Sequence, residues 1–324
     1  HRFICDELCL AVITGQKTPD ERFPGSVATH TLEALMQDGK ALQVGTSHFL
    51  GQNFAKAYQI KFHNKEDTEE YAWTTSWGVS TRLIGGLIMT HGDDHGLVLP
   101  PAVAPKQIVI LPITGRHHSP EEILTYAQEL KLMIAKVSWQ GQPVRVFVDQ
   151  RDLRGGEKKW QQVKKGVPLI IEIGPHEVTR QEVSYLCRYQ GTEGGKKFPQ
   201  VTMAKSDFLA QLTTLLSSAQ EYLQKKAKQK ISQHTRFIND QSQLVDYFSR
   251  DNPAFVLAPW CQAAIKHPLL KTLKITPRVI PRDQEMVTLK EVKGFPTGDL
   301  ECQDQKCVFT GQTAECYVVF ARAY

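Results

Sequence analysis

The sequence predicts a mixed protein, part α/β and part α+β, on three observations. Residues 107–173 alternate buried-strand runs with helical spacing in a β-α-β-α-β succession, which builds a small domain around a largely parallel sheet. The first 105 residues are instead rich in Gly, Thr and His and carry short apolar runs. A long amphipathic helix then opens a last region that holds four of the seven cysteines. A chain of 324 residues is long enough for two or three domains, and the changes of pattern divide it at 1–104, 105–203 and 204–324.

In the first region Glu70–Trp77 reads as one strand, with Tyr71, Trp73 and Trp77 spaced by twos over most of it. Ser80–Met89 reads as a helix capped by Ser80 and ended by His91–Gly96, and Leu99–Pro105 as an extended hinge. In the middle region Gln107–Ile113, Val144–Val148 and Leu169–Ile173 are strands. Ser119 starts a helix with Pro120 in its first turn and Glu121 and Glu122 on the positive end of the dipole. Ile123, Ala127, Leu130, Ile134 and Val137 keep its spacing, and Arg154–Lys165 makes a polar helical connection. Phe208, Leu212, Leu215, Ala219, Leu223 and Ala227 mark one face of the long helix. Lys225, Lys226, Lys228 and Lys230 crowd its end, either as a solvated face near a helix C-terminus or as contacts to RNA phosphate.

Composition narrows the class. Apolar residues at 41% and charged residues at 23% suit a soluble globular protein, and no apolar run of about eighteen residues offers a membrane span. No basic-then-apolar signal region opens the sequence. The net charge of +5 suits a polyanionic partner without demanding one. Seven scattered cysteines, an odd number, speak against a secreted disulfide framework and for a reducing compartment, hence the cytoplasm.

The richest stretch for chemistry is Gln43–Phe54, which sets Gln43, Thr46, Ser47 and His48 around Gly45, where backbone can approach a ligand closely. A His beside Ser and Thr reads as a structural hydrogen-bonder or as a catalyst. Arg82 falls in the first turn of its helix, where unpaired N–H groups and the dipole favour an anion and a guanidinium adds a second positive element. By itself such an arginine also suits plain solvent exposure.

Together, Gln43–Phe54, Trp77–Gly85 and His91–Pro101 closely resemble prolyl-tRNA synthetase of the archaeal/eukaryotic-like type. Gly15–Gly25, Thr31–Met36, Gly166–Pro175 and Val319–Tyr324 fit the same family, so the resemblance spans nearly the whole sequence. It implies a class II aminoacyl-tRNA synthetase: part of an antiparallel catalytic sheet, an α/β anticodon-binding domain and a C-terminal α/β domain. The implied activity is proline–tRNA ligation, in which ATP and Mg²⁺ activate proline as prolyl-adenylate and the prolyl group passes to tRNA(Pro). The substrate carboxylate is itself the nucleophile, so catalysis is positioning and neutralisation of phosphate charge. The resemblance also implies a homodimer for the complete enzyme.

Carried over by position, Arg82 matches the arginine of the third class II motif, which holds ATP. Gln43, Ser80 and Thr81 fall at nucleotide-contacting positions, and Thr46 and His48 at the nucleotide–proline junction. His48 with Trp77 and Gly78 would wall the pyrrolidine pocket. The family's first and second motifs, with an arginine for the α-phosphate and an acid near the amine, precede His1, and His1–Val12 resembles the strand that follows the second motif. Ala102, Lys159–Lys165, Ile170 and His176 depart from the family pattern.

The resemblance implies that family members often bind zinc through four thiolates. Here Cys261 and Cys307 lack close partners, and Thr310 stands where a cysteine is expected. Cys302, Cys307, Cys316 and Cys261 could together supply four sulfurs, but they form no pair of short C-x-x-C knuckles, so free thiols are expected rather than zinc. Two functional classes follow: a proline–tRNA ligase, favoured by the retained Gln43, His48 and Arg82, and a non-catalytic tRNA-binding or regulatory paralogue. Finally, relatives end in a tyrosine directed at the catalytic domain, so Tyr324 is expected to be ordered there, its terminal carboxylate meeting hydrogen-bond donors.

Overall fold

Three consecutive antiparallel strands begin the structure: β1 (Val12–Gln16), β2 (Ala28–Leu35) and β3 (Ala41–Gly51). On β2, Thr29, Thr31 and Glu33 are all buried, a polar row inside a sheet. The computed structural model describes residues 1–113, 120–190, 198–283, 285, 289, 292–295 and 302–324. It groups residues 10–90 and 227–324, with His1, as one compact unit and residues 2–9 and 91–226 as another.

After β3 the chain makes α1 (Asn53–Ala57) and a small hairpin of β4 (Lys61–His63) and β5 (Glu69–Tyr71), then returns as β6 (Thr74–Gly78) to pair with β3. The single strand expected over Glu70–Trp77 is therefore two, in different sheets. The break has a hydrogen-bond cause: the Tyr71 carbonyl accepts from the Gln52 side chain at 2.7 Å, and the Ala72 N–H donates to the Ile60 carbonyl at 3.1 Å. Helix α2 (Arg82–His91) packs on β3 through Gly86, where an added Cβ would lie 3.1 Å from a Leu42 methyl.

The second unit holds β7 (Ile108–Pro112), α3 (Pro120–Ala135), the short pair β8 (Ser138–Trp139) and β9 (Gln142–Pro143), β10 (Val146–Val148), α4 (Gly155–Lys164) and β11 (Leu169–Ile173). It continues with α5 (Pro175–Arg180), β12 (Glu182–Cys187), β13 (Gln200–Ala204) and the start of α6 (Lys205–His234). The sheet order is β10-β7-β11-β12-β13, with β10, β7 and β11 parallel and the last two strands antiparallel. Ile123, Ala127, Leu130 and Ile134 of α3 are buried as their spacing predicts; the expected cap Ser119 lies outside the described residues. On α6, Phe208, Leu212, Ala219 and Leu223 are buried, and Leu216 rather than Leu215 completes the face.

Two sequence expectations change here. Phe3–Glu7 is a single π-helical turn, not a strand, because Gln220 takes the Asp6 and Glu7 carbonyls at 2.5 and 3.1 Å and His91 Nε2 bonds the Leu8 carbonyl at 2.9 Å. Burial holds His91 near pKa 4, so this ring is a neutral donor. The proline segment is not an extended hinge either. Val103 and Ala104 turn back on Pro100, and Arg145 donates to the carbonyls of Pro101, Ala102 and Ala104 at 2.8–2.9 Å. Nearby, the buried Arg188 grips Asp93 with two bonds of 2.5 and 2.7 Å.

The rest of the first unit supplies β14 (Arg236–Phe237), α7 (Gln241–Ser249), β15 (Val256–Trp260), α8 (Pro268–Leu273), β16 (Thr276–Pro281) and β17 (Cys316–Ala321). These strands extend the first sheet to eight, in the order β14-β15-β17-β16-β1-β2-β3-β6, antiparallel except for β14 with β15. The join is tight: an added Cβ on Gly15 would sit 1.9 Å from the Ile280 carbonyl oxygen, so only glycine fits there. Across it, the fully buried Glu33 accepts from Lys17 at 3.0 Å, from Thr31 at 2.7 Å and twice from Arg278 at 3.0 and 2.9 Å. Tyr324 is ordered against the β2–β3 turn, its hydroxyl donating to Asp38 at 2.7 Å and its N–H to the Ala41 carbonyl at 3.3 Å. The side chain and backbone make these contacts.

Arg278→Met leaves one oxygen of a buried carboxylate without both of its guanidinium bonds, and should lower unfolding free energy by about 3–5 kcal/mol in urea titrations, the scale for breaking a buried pair. A loss under about 1 kcal/mol would contradict the role given to Glu33. In the second unit, hydrogen bonds from Arg151 hold Asp149 near pKa 2. Its unfolded value is about 4. The stability it contributes is present above pH 4 and disappears as pH falls through about 2. Asp149→Asn should flatten the acid limb of stability against pH, and an unchanged slope would refute this.

Candidate nucleotide site and comparisons with known proteins

β3, β6 and the first turn of α2 converge on a cavity of about 260 Å³ lined by Gln43, Thr46, Gly78, Ser80 and Arg82, with Val44, Gly45, Val79 and Leu83. Gln43 and Thr46 are three apart on a strand, and strict alternation would put them on opposite faces. A register shift opposite Leu32 and Glu33 leaves Val44 unpaired and re-aims the strand, so both reach one cavity. At the helix start, Ser80 Oγ accepts the Arg82 N–H at 3.3 Å, while the Ser80 and Thr81 carbonyls accept from Leu83 and Ile84 at 3.0 Å. The exposed Arg82 guanidinium thus shares the positive end of α2 with the remaining first-turn N–H groups. Such a corner, a cation beside hydroxyl and amide groups, suits phosphate.

Not every sequence candidate meets there. Thr81 is exposed and contributes its carbonyl to the turn. Trp77 pairs with Ser47, and so stands on the face opposite Thr46 and its partner Gly78, with 76% of its surface exposed. It therefore does not wall this cavity, because register alternates side chains across the sheet. His48 lies on the Thr46 face but beyond the cavity lining, with Nδ1 3.0 Å from Thr29 Oγ1 and its ring 4.9 Å from that of Phe23. Burial holds its pKa below the ordinary imidazole range. The sequence reading missed Thr29, because its tie to His48 is a cross-strand pairing and leaves no local signal.

The donor sets decide what metals these residues fit. The described lining of the cavity has no carboxylate, and so does not build a Mg²⁺ site from protein groups. In the C-terminal region Cys261 Sγ lies 3.3 Å from Thr310 Oγ1. Burial raises the Cys307 thiol, but hydrogen bonds from Thr310, backbone N–H groups and Cys261 outweigh it and hold the thiol below its usual value. Two thiols around a hydroxyl do not fit a four-thiolate zinc centre. Among the described residues no three His, Cys, Asp or Glu side chains cluster as a metal site, and no helix is long and apolar enough to cross a membrane.

In the second unit, Phe147–Arg151 with Gln128 and Lys131 line an open cavity of about 430 Å³ between the end of β10 and α3. Asp149 orders its floor through Arg151 and Gln162, and Phe147 is half-exposed with Lys106 Nζ 3.8 Å from its ring centroid.

Comparison with known proteins agrees with this layout. Residues 107–215 match the family model described as anticodon binding domain, and residues 243–324 the one described as prolyl-tRNA synthetase, C-terminal. The chain is 45% identical to the proline–tRNA ligase of Bdellovibrio bacteriovorus, over 98% of its own length and 60% of that relative. To the proline–tRNA ligase of Protochlamydia amoebophila it is 41% identical, over 99% of the chain and 61% of the relative. A solved structure of prolyl-tRNA synthetase from Cryptosporidium parvum, in complex with halofuginone and AMPPNP, superposes with a TM-score of 0.85 at 31% identity, covering 100% of this chain and 62% of that one. The same enzyme in complex with L-proline and AMP gives 0.83 at 31% identity, covering 100% and 64%. The chain is similar to prolyl-tRNA synthetases along its whole length. It spans about 60% of the length of the curated relatives it matches.

Proposed function

We propose that the cavity between β3, β6 and α2 is the ATP side of a proline-activating site, and that the complete protein is a proline–tRNA ligase. One observation carries this: Arg82, at the positive end of α2, shares a single cavity with Gln43, Thr46 and Ser80. A structure of the same fold that holds L-proline and AMP supports it. In this reading the proline carboxylate attacks the α-phosphorus of ATP, giving prolyl-adenylate and pyrophosphate, and the prolyl group then moves to the terminal adenosine of tRNA(Pro). Arg82 neutralises phosphate charge as it shifts toward pyrophosphate, while Gln43 and Ser80 hold the nucleotide by neutral hydrogen bonds. Thr46 and His48 lie toward the proline end. Mg²⁺ belongs to this reading through ATP, without a ligand from the cavity lining.

The region matching an anticodon-binding domain is the tRNA-facing part in this reading, with Phe147 as a stacking surface and Lys131 and Arg151 as phosphate contacts. The division at 1–104, 105–203 and 204–324 then separates catalytic, anticodon and C-terminal functions. A homodimer in the cytoplasm completes the proposal.

In the complete protein, Arg82→Ala should depress proline-dependent ATP–pyrophosphate exchange by roughly two orders of magnitude or more, the scale for losing one charge-stabilising group. Unchanged exchange in a folded variant would remove Arg82 from the site. Phe147→Ala should weaken binding of the tRNA(Pro) anticodon stem-loop by about 1–3 kcal/mol if a base stacks there. Equal binding by gel shift would place the anticodon elsewhere.

A further inference from the structure

The inner nitrogen of His48 is closed by a network in which each proton has one place to go. Ser26 Oγ lies 2.7 Å from the Phe23 carbonyl oxygen. A carbonyl only accepts, so the Ser26 proton is committed there. Ser26 Oγ is then the acceptor in its 2.9 Å contact with Thr29 Oγ1, and Thr29 gives it its only proton. Thr29 Oγ1 has only lone pairs left for its other two partners, the Phe23 N–H at 3.3 Å and His48 Nδ1 at 3.0 Å. Two lone pairs facing at that distance would repel, so Nδ1 carries the hydrogen and donates. Thr29 is 2% exposed, which keeps water from reordering these bonds.

We infer that Ser26 and Thr29 are positioning residues that fix His48 as the Nδ1–H tautomer, so that Nε2 presents a lone pair on the Thr46 side of the sheet as an acceptor for the secondary ammonium of bound proline. The identity of that ligand rests on the function proposed above; the tautomer does not. Three observations support it. Nε2 makes no hydrogen bond among the described residues, so its lone pair is available to a ligand. Burial lowers the His48 pKa, which keeps the ring neutral near pH 7 and removes charge repulsion against an ammonium. The Phe23 ring, 4.9 Å away and tilted 39°, limits rotation of the imidazole. An imidazole side chain in water favours Nε2–H, so the opposite tautomer has to be imposed by its partner.

Long-range ¹H–¹⁵N correlation spectra of the complete protein, with ¹⁵N-labelled histidine, read the tautomer directly; His48 is assigned by the signal lost in His48→Gln. The expected result is Nδ1–H in the wild type, a switch toward Nε2–H in Thr29→Val, and restoration in Thr29→Ser. Added L-proline should then move the His48 Nε2 resonance in the wild type and leave it in place in Thr29→Val. An Nε2–H tautomer in the wild type would overturn the inference without needing any variant to fold. The wild-type tautomer kept in a folded Thr29→Val would overturn it too. An Nδ1–H ring indifferent to proline would overturn the ammonium assignment. Failure of the nucleotide reading would show separately, in exchange that does not depend on Arg82, and would not move the tautomer.

Discussion

Glu33 is a carboxylate with no exposed surface, and the first unit is arranged around satisfying it. Its two oxygens receive one bond from Lys17, one from Thr31 and two from Arg278. Burying such a charge is unfavourable by several kcal/mol unless its partners are all in place, so the strands that carry them have little freedom to shift. Lys17 follows β1, Thr31 sits on β2 and Arg278 on β16, from the far end of the sequence. The carboxylate therefore makes one register of β2, β1 and β16 much better than any other. Gly15 permits the close approach that this register requires.

The cavity inherits that order. β3 pairs along the whole of β2, so a fixed β2 places Gln43 and Thr46, and the bulge at Val44 turns both toward the start of α2. If the cavity binds ATP as proposed, positioning of this kind is the main thing it would need from the protein, since the reacting groups would belong to the substrates. The same pairing brings Thr29 beside His48, where a hydroxyl on one strand can set the protonation of a ring on the next. Tyr324 adds a brace, bonding Asp38 in the turn that joins β2 to β3.

What could be read from sequence alone was local or motif-borne. Leu169–Ile173 shows as a buried strand because five apolar or shielded positions run together, and α3 shows because its apolar residues keep helical spacing. Gln43, Thr46, Ser80 and Arg82 were legible through their motifs and do share a cavity. What was not legible depends on partners distant in sequence. Trp77 belongs to the other face because of the residue it opposes, Ser47, and not because of its neighbours. The proline segment turns because Arg145, some forty residues on, collects its carbonyls. The merging of the last strands with the first sheet has the same character, as nothing near Arg278 announces that its acceptor is Glu33.

The central claim is that one buried carboxylate makes these distant strands a single cooperative element. Native-state hydrogen exchange at increasing denaturant tests it most directly, by giving an opening free energy for each protected amide. The account predicts that amides in 12–16, 29–34, 43–46 and 277–281 merge into one opening reaction with a common free energy and a common denaturant dependence. Amides of 277–281 opening at a separate, lower free energy, with 12–46 still protected, would contradict it.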